Sequence, residues 1–427
     1  MVNLNNPLLA INGGKPVRTA PWLDNFTTGE EEKIAVSRVL NSGYLSLFEG
    51  SHTPDHPFSF YGGPEVQKLE KSWREYYGSA HAVSMNSATS GLYAAMGALG
   101  IGYGDEVIVS PYTMSACAIA PLVYGAIPIF ADVDPATGSL DPKSIRRLIS
   151  EKTKAILLVH QFGIPADMDA IMSLAREFNL RVVEDCAQAH GAKYRSRFVG
   201  TFGDIGVYSL NVNKSIQTGE GGVCVTNNDD VAYRLALIRN HGEAVVGGAG
   251  YDNIENIAGY NYRLTELQAA IATEQLKKLD ILNEKRLAMV SAFIDGISDI
   301  PYLHALSADY ETRSTYYVVP VKFDEKMAGI SRNEYAAALN KEGALFFQGY
   351  VRPLYLQPLY QKKTLYKHGY PFTAPENREC RMDYHSGLCP TAESLHFHGM
   401  LINEHIRPPQ VMADVEDLVS IIHKVHG

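Results

Sequence analysis

The sequence is poor in cysteine and tryptophan and carries no excess of positive charge. Its 427 residues include two tryptophans and five cysteines, at positions 117, 186, 224, 380 and 389. The cysteine number is odd and no pair has CxxC spacing, so we expect reduced thiols in a cytoplasmic protein. Lys and Arg total 38 against 47 Asp and Glu, a formal net charge of −9. This balance argues against binding to nucleic acid or to an anionic membrane.

Several other signals are missing. No apolar run reaches membrane-spanning length, and the first residues do not join a basic start to an apolar core, so neither a membrane anchor nor a signal peptide is predicted. GxxxxGK[ST] does not occur, and the glycines at 100–104 and 247–250 lack the spacing of a dinucleotide site. Because HExxH and Cys/His patterns are also absent, no metal site is predicted.

What the sequence does contain is an alternation of apolar strands and helices. Val- and Ile-rich runs predict strands at 106–110, 127–133, 154–160, 180–186, 205–210 and 222–227, with helices between them. This pattern predicts an α/β fold with a mostly parallel sheet covered on both faces. A long helix is predicted at 265–297, followed by mixed elements. We predict an N-terminal arm (1–27), a large α/β domain (28–280) and a small α+β domain (281–427).

Four polar segments stand at strand ends or before a helix. SMNSATSGL (84–92) joins a strand to a helix whose N–H groups, with the Thr89 hydroxyl, would bind a phosphate. Asp185 ends an apolar strand, where a carboxylate needs a partner. Lys214 follows a strand and precedes a Gly-rich turn, a setting in which a lysine can form a Schiff base. The fourth segment is GYNYR (259–263).

Each segment also has an ordinary structural explanation. The first fits a helix cap, Asp185 fits an ion pair with an arginine, and Lys214 fits a solvated loop lysine. Taken together they describe a site for pyridoxal 5′-phosphate (PLP), with an anchored phosphate, an aspartate on the pyridine nitrogen and a lysine on the aldehyde. The residues alone leave both interpretations open.

The order of motifs along the whole chain is more specific evidence than the four polar segments alone. The following motifs occur one after another along the chain: GIGYGDEVIVSPYT, KAILLVHQFGIPADMDAI, VVEDCAQAHGA, GDIGVYSLNVNKSIQTGEGGVCVTN, RNHGE and GYNYRLTELQAAI. In this the chain resembles the DegT/DnrJ/EryC1/StrS aminotransferases over nearly its whole length. The resemblance implies PLP-dependent transferase fold type I, like aspartate aminotransferase. It also implies transfer of an amino group from Glu or Gln to a nucleotide-linked keto sugar or a keto-cyclitol, with pyridoxamine phosphate as the intermediate form of the cofactor.

The resemblance also implies the roles of particular residues. Lys214 would be the Schiff-base lysine and proton carrier, and Asp185 would pair with the pyridine nitrogen. The other cofactor contacts would be Gln188 near the 3-hydroxyl, Met114 at the ring face, and Ala88, Thr89 and Ser209 at the phosphate. Asn261 would reach the phosphate bound by a neighbouring subunit, which implies a homodimer with shared sites.

Some positions depart from the family pattern. Met114 stands where Phe or Trp usually stacks on the cofactor ring, and Tyr112 is a possible substitute for that ring. Tyr355 replaces the His usual in sugar aminotransferases. Residues 47–62, which include His52, Asp55 and His56, look like an insertion that we expect to border the acceptor pocket. His396 and His398 are expected to share one face of a strand.

The sequence argues against two rival functions. Sugar dehydratases of the same family carry His where Lys214 stands here, so the lysine argues against dehydration. A non-catalytic regulatory protein would need a DNA-binding element, and the chain has neither a basic helix nor a positive net charge.

Overall fold

The computed structural model describes residues 2–51 and 57–427. Its strands are β1 (His81–Met85), β2 (Glu106–Val109), β3 (Ile127–Phe130), β4 (Thr153–Val159), β5 (Arg181–Asp185), β6 (Lys193–Tyr194), β7 (Arg197–Phe198), β8 (Ile205–Ser209), β9 (Gly222–Thr226), β10 (Leu303–Ala305), β11 (Thr312–Arg313), β12 (Val319–Phe323), β13 (Phe346–Gln348) and β14 (Met400–Asn403). Its α-helices are α1 (Glu30–Ser42), α2 (Pro64–Tyr77), α3 (Ala88–Ala98), α4 (Ala116–Val123), α5 (Pro142–Leu148), α6 (Met168–Glu177), α7 (Asp229–Arg239), α8 (Gly242–Ala249), α9 (Glu266–Gly296), α10 (Glu325–Ala328), α11 (Arg332–Lys341), α12 (Pro358–Lys362), α13 (Pro390–Ser394) and α14 (Met412–His426).

The larger of the two main sheets has seven strands in the order β1-β9-β8-β5-β4-β2-β3. Strands β3, β2, β4, β5 and β8 are parallel, whereas β9 and β1 run antiparallel to their neighbours. The parallel strands are buried along almost their whole length, as expected for apolar runs covered by helices. The prediction of an α/β fold with a mostly parallel sheet is therefore confirmed.

The second main sheet is antiparallel, with strand order β10-β12-β14-β13; α11 contacts β13 and β14, and α14 packs against α11. Helix α9 connects the two parts, because it contacts α1 and α2 at the first sheet and α14 at the second. Thr265 and Gln268 form a capping box that fixes where this helix begins. The predicted domain boundary between 280 and 281 lies inside α9 and stays a prediction.

The segment before α1 is hydrogen-bonded to residues at the ends of α10 and α11. The Val2 N–H donates to the Ala328 carbonyl at 2.9 Å. Glu342, which is buried, accepts hydrogen bonds from the N–H groups of Ala10 and Val17 at 2.7 and 3.1 Å. Trp22 Nε1 donates to the Gly343 carbonyl at 2.8 Å. The beginning of the chain is thereby anchored before it turns toward the large sheet.

One local prediction was wrong. Residues Leu395–Gly399 form a π-helical turn after α13, and β14 begins only at Met400. His396 and His398 therefore lie on a helical turn and not on one face of a strand. Within the described residues, no helix is both long enough and apolar enough to span a membrane.

Candidate active site

Two neighbouring parallel strands place polar side chains at one edge of the large sheet. β5 ends at Asp185 and β8 ends at Ser209, and Asp185 lies opposite Val207 in the strand register. Lys214 follows in the loop that joins β8 to β9. Because the carboxyl ends of parallel strands meet at one edge, these residues come together although they are separated in sequence.

Asp185 is buried and has two hydrogen-bond donors. Its Oδ2 accepts from Cys117 Sγ at 3.0 Å, and its Oδ1 accepts from the Ala187 N–H at 2.9 Å. Burial raises the pKa of this carboxyl group, and both hydrogen bonds and the positive charge of Lys214 act against that rise. Across residues 2–51 and 57–427, Asp185 has no ion pair with an arginine, so the arginine alternative is not supported.

Lys214 is 8% exposed, and its amine has no hydrogen-bond or ion-pair partner in the part of the chain that the structure describes. Nζ lies 4.3 Å from the centroid of the Tyr317 ring. Burial lowers the pKa of Lys214 to about 8, although the negative charges of Asp185 and Glu404 raise it. A buried amine without a partner is not a solvated loop lysine, and it is ready to react with an aldehyde.

The backbone around Lys214 is held both within its own loop and by the N-terminal segment. The Lys214 N–H donates to the Asn211 carbonyl at 3.0 Å. Asn25, from the N-terminal segment, donates through Nδ2 to the carbonyls of Val212 and Lys214, both at 2.9 Å. The position of the Lys214 amine therefore depends on the N-terminal segment as well as on the sheet.

The start of α3 is arranged as an anion site. Ser87 caps the helix by accepting from the Ser90 N–H at 3.0 Å. The N–H groups of Ala88 and Thr89 come before the first intrahelical bond, and neither has an acceptor among the described residues. A Cβ atom on Gly222 would lie 2.6 Å from the Ala88 nitrogen, so only glycine lets β9 approach this turn so closely. These N–H groups can bind a phosphate, as predicted for this turn.

Gln188 joins the large sheet to the second part of the chain. Its Oε1 accepts from the Phe162 N–H at 2.7 Å, and its Nε2 donates to the Tyr350 hydroxyl at 3.1 Å. The side chain is buried and its amide is held from both ends, so its orientation is fixed beside Asp185.

The residue expected at the face of the cofactor ring is Met114, where an aromatic residue is usual. Met114, just before α4, is 53% exposed and lies three residues from Cys117. Tyr112 is fully buried, and its hydroxyl accepts from the Tyr350 N–H at 2.9 Å. Tyr112 therefore belongs to the packing beneath the site and is not free to stack on a ligand, and the placement of Met114 at the ring face stays a prediction.

Asn261 lies beside the α3 turn of its own chain but points elsewhere. Asn86 donates through its N–H to the Tyr262 carbonyl at 2.7 Å and through Nδ2 to the Asn261 carbonyl at 3.3 Å. The Asn261 side chain is exposed and accepts from Arg263 Nε at 2.8 Å. The side chain is thus accessible to a neighbouring molecule.

Tyr355 is a packing residue. It is fully buried, its ring lies 5.6 Å from that of Phe130, and its hydroxyl donates to Glu393 and accepts from the Cys389 N–H. Nothing in this environment connects Tyr355 with an acceptor molecule.

The insertion at 47–62 is described in part. His52, Asp55 and His56 lie outside the described residues. On either side of them, Phe48 bridges to Ser59, and Phe58 lines a groove of about 640 Å³ next to α1. The proposed contact of this segment with the acceptor stays a prediction.

Three close side chains could suggest a metal site. His160, Glu184 and Cys186 are buried, with potential ligand atoms within 4.8 Å of one another. The Glu184 carboxylate, however, accepts from three N–H groups of residues 200–203 and from His160 Nε2, and His160 Nδ1 accepts from the Ala166 N–H. These bonds already use the lone pairs of both side chains, so the group fixes a turn and need not hold a metal.

Sequence reasoning missed four residues of the site. Cys117 and Asn25 contact Asp185 and the Lys214 loop, and Arg286 and Arg407 contact the residues on either side of Lys214. All four belong to segments remote in sequence from their partners, and no local pattern distinguishes them from ordinary surface or core residues.

The residues of this site fit PLP. An unpartnered buried amine suits the aldehyde, a buried carboxylate suits a protonated pyridine nitrogen, and the free N–H groups at α3 suit the phosphate. Lys214, Asp185, Ala88, Thr89, Gln188 and Ser209 would hold the cofactor.

Comparisons with known proteins agree with this geometry. Residues 56–390 match the DegT/DnrJ/EryC1/StrS aminotransferase family. The chain is 34% identical over 346 residues to the spore coat polysaccharide biosynthesis protein SpsC of Bacillus subtilis (strain 168), covering 79% of this chain and 85% of SpsC. An aminotransferase from Psychrobacter cryohalolentis has a similar structure, with a TM-score of 0.80 and 30% identity over 96% of this chain and 98% of that one. DesV of S. venezuelae, solved with a ketimine intermediate, gives a TM-score of 0.74 and 30% identity over 92% and 94%.

The family match covers well over half of the chain, and the two solved structures share its fold over 92% to 96% of its length. The resemblance identified from the ordered motifs is therefore confirmed, as is the fold type that it implied. The chain belongs to the DegT/DnrJ/EryC1/StrS aminotransferase family, whose members depend on PLP.

Proposed function

We propose that this protein is an aminotransferase that takes an amino group from Glu or Gln and passes it to the ketone of a nucleotide-linked sugar or of a cyclitol. The observation that carries this proposal is the buried, unpartnered amine of Lys214 beside the buried carboxylate of Asp185. The family and the relatives described above support an amino-group transfer on sugar-like molecules.

Each residue of the candidate site has a separate role in the proposed reaction. When bound, PLP supplies an electron-accepting ring on which an amino group can be held and exchanged. Asp185 keeps the pyridine nitrogen protonated, and the α3 turn with Ser209 anchors the phosphate. Lys214, with a pKa of about 8, can both accept and donate a proton near neutral pH, so it carries the proton removed from the donor carbon.

The proposal is tested by the colour of the protein and by its response to donors and acceptors. The purified protein with PLP should be yellow, and it should bleach when Glu or Gln is added. A series of nucleotide-linked keto sugars and free keto-cyclitols is then screened for return of the colour and for an aminated product. A protein that stays colourless with added PLP would support a regulatory role, and loss of water from a sugar without amination would support a dehydratase.

The pKa of Lys214 determines how cofactor capture depends on pH. Only the unprotonated amine attacks an aldehyde, so the rate of PLP capture by cofactor-free protein should rise with pH and level off above the pKa of about 8. An exposed lysine, with a pKa of about 10.4, would give a rate that still climbs at pH 9. Stopped-flow absorbance across this range distinguishes the two, and a rate still rising steeply above pH 9 would contradict a buried amine.

We also propose that the protein acts as a homodimer in which Asn261 reaches the cofactor phosphate of the partner subunit. The exposed side chain of Asn261 supports this proposal. Lys214→Ala and Asn261→Ala should each be impaired alone, whereas a mixture should recover activity, because each mixed dimer has one site with both residues intact. No recovery after demonstrated subunit exchange would count against sharing.

A further inference from the structure

The ring of Tyr317 lies against the amine of Lys214. Nζ is over the face of the ring, 4.3 Å from its centroid. Tyr317 is 5% exposed and Lys214 is 8% exposed, so water has little access to either partner. A positive charge at this distance is attracted by the negative face of an aromatic ring, and the attraction is stronger where water is excluded.

Tyr317 is held in place independently of the lysine. It belongs to the segment just before β12, and its N–H donates to the Phe162 carbonyl at 2.9 Å. Phe162 lies shortly after β4 in the large sheet domain, so this bond joins the two parts of the chain beside the site. The ring is therefore a fixed surface that the flexible end of Lys214 can contact.

The nearby acids do not hold the amine. Asp185 and Glu404 raise the pKa of Lys214, but neither makes an ion pair with it within residues 2–51 and 57–427. The oxygens of Asp185 already accept hydrogen bonds from two other donors. The ring face is thus the closest favourable surface for a charged amine at this position.

The remaining titratable groups around the amine are the same whatever stands at position 317. Burial lowers the pKa of His190 to about 3, so this imidazole is neutral when Lys214 titrates. Arg286 and Arg407 contact the residues on either side of Lys214. Because these groups are common to the native protein and its variants, a difference between them reports the ring.

We propose that the Tyr317 ring holds the Lys214 amine whenever that amine is not bonded to the cofactor, which makes Tyr317 a positioning residue for the reaction. This inference rests on the proposed function. The amino donor must displace Lys214 from the cofactor, and the same amine must then carry a proton and return. A ring face favours the ammonium form without forming an ion pair, so it keeps the charged amine in the site and still releases it.

The ring face of Tyr317 acts here, and its hydroxyl does not. Burial raises the pKa of Tyr317 to about 12, and the negative charge of Glu404 acts in the same direction. The phenol therefore stays neutral throughout the range in which Lys214 titrates. Tyr317→Phe, which keeps the face and loses the hydroxyl, should behave like the native protein, whereas Tyr317→Leu removes the face.

The test measures the protonation of Lys214 directly. In cofactor-free protein, competitive labelling with trace acetic anhydride and peptide mass spectrometry give the pKa of this lysine. Without the ring the ammonium form is less stable, so the unprotonated fraction at pH 6 should rise about 3- to 30-fold in Tyr317→Leu. In the loaded protein, bleaching by saturating L-glutamate should slow about 3- to 30-fold, with the half-saturating concentration nearly unchanged.

Two further proteins serve as comparisons. Pentafluorophenylalanine at position 317, introduced through an expanded genetic code, has nearly the shape of Phe but the opposite charge distribution on its face. It should match Tyr317→Leu, and it keeps the test decisive if the leucine variant does not fold. Tyr316→Leu removes a neighbouring buried ring, whose hydroxyl donates to the Leu306 carbonyl at 3.2 Å, and should leave the pKa of Lys214 unchanged.

The outcomes are distinguishable from failure of the proposed function. An unchanged pKa of Lys214 in the pentafluorophenylalanine protein overturns the inference. A Tyr317→Phe protein that behaves like Tyr317→Leu also overturns it, because the hydroxyl would then be responsible. If no amino acid reacts with the native protein, the proposed function fails, while labelling of the cofactor-free protein still decides whether the ring holds the amine.

Discussion

Lys214→Ala is expected to abolish amino-group transfer and to give a colourless protein with an unchanged fold. The rate should fall by more than about 10³-fold, because the variant loses both the attachment point for the cofactor and the group that moves the proton. The fold should survive because the Lys214 side chain has no hydrogen-bond partner among the described residues, and its backbone is held by Asn25. Absorbance, circular dichroism and single-turnover assays with Glu and Gln measure these effects.

The matched control is Lys143→Ala, which removes an exposed lysine of the same sheet domain and should leave colour and rate unchanged. Borohydride reduction of the yellow native protein, followed by peptide mapping, identifies the attached lysine directly. A label on any lysine other than Lys214 would show that the assignment is wrong.

Asp185→Asn is expected to retain part of the cofactor and to lose at least about 100-fold in turnover, since an amide cannot stabilise a positive charge on the pyridine nitrogen. The substitution changes little in volume, and the oxygen can still accept from Cys117 or from the Ala187 N–H. The defect should appear in both half-reactions, with the apparent affinity for substrates less affected than the rate.

A cofactor analogue with a methyl group on the pyridine nitrogen gives a sharper test. That ring is positively charged without a proton, so it should restore part of the rate in Asp185→Asn and none in Lys214→Ala. Asp169→Asn, at an exposed aspartate paired with Arg195, is the control and should match the native protein. Near-native turnover of Asp185→Asn with ordinary PLP would refute the role of this carboxylate.

The sequence predicted the parallel core of the fold because its strands are buried on both faces. β2, β4, β5 and β8 consist of continuous Val- and Ile-rich runs, and the observed bounds differ from the predicted ones by a residue or two. The strand expected before the SMNSATSGL segment is β1, but no bounds could be predicted for it because HAVSM mixes polar and apolar residues; antiparallel pairing with β9 holds it in the sheet. No bounds were predicted for α4, which is a short run of apolar residues with Pro121 inside.

The same distinction between local sequence pattern and tertiary contacts applies to the residues of the site. Asp185, Ser209 and Lys214 could be found because each stands at or after the end of a recognisable strand. Cys117, Asn25 and Arg407 could not, since each acts through a single contact with a residue far away in the sequence. The burial of Tyr112 is likewise a result of tertiary packing, and no pattern in the neighbouring residues indicates it.

The anchoring of the Lys214 loop has a consequence for biosynthesis on the ribosome. Asn25 holds the loop from 189 residues upstream, and Arg407 contacts it from 194 residues downstream. The large sheet can form once its strands have emerged, but the loop contact with Arg407 becomes available only after the residues that follow β14 have left the exit tunnel. Chains that stop before Arg407 would therefore fold around an incompletely held lysine, and full competence to take up the cofactor would require synthesis beyond residue 407.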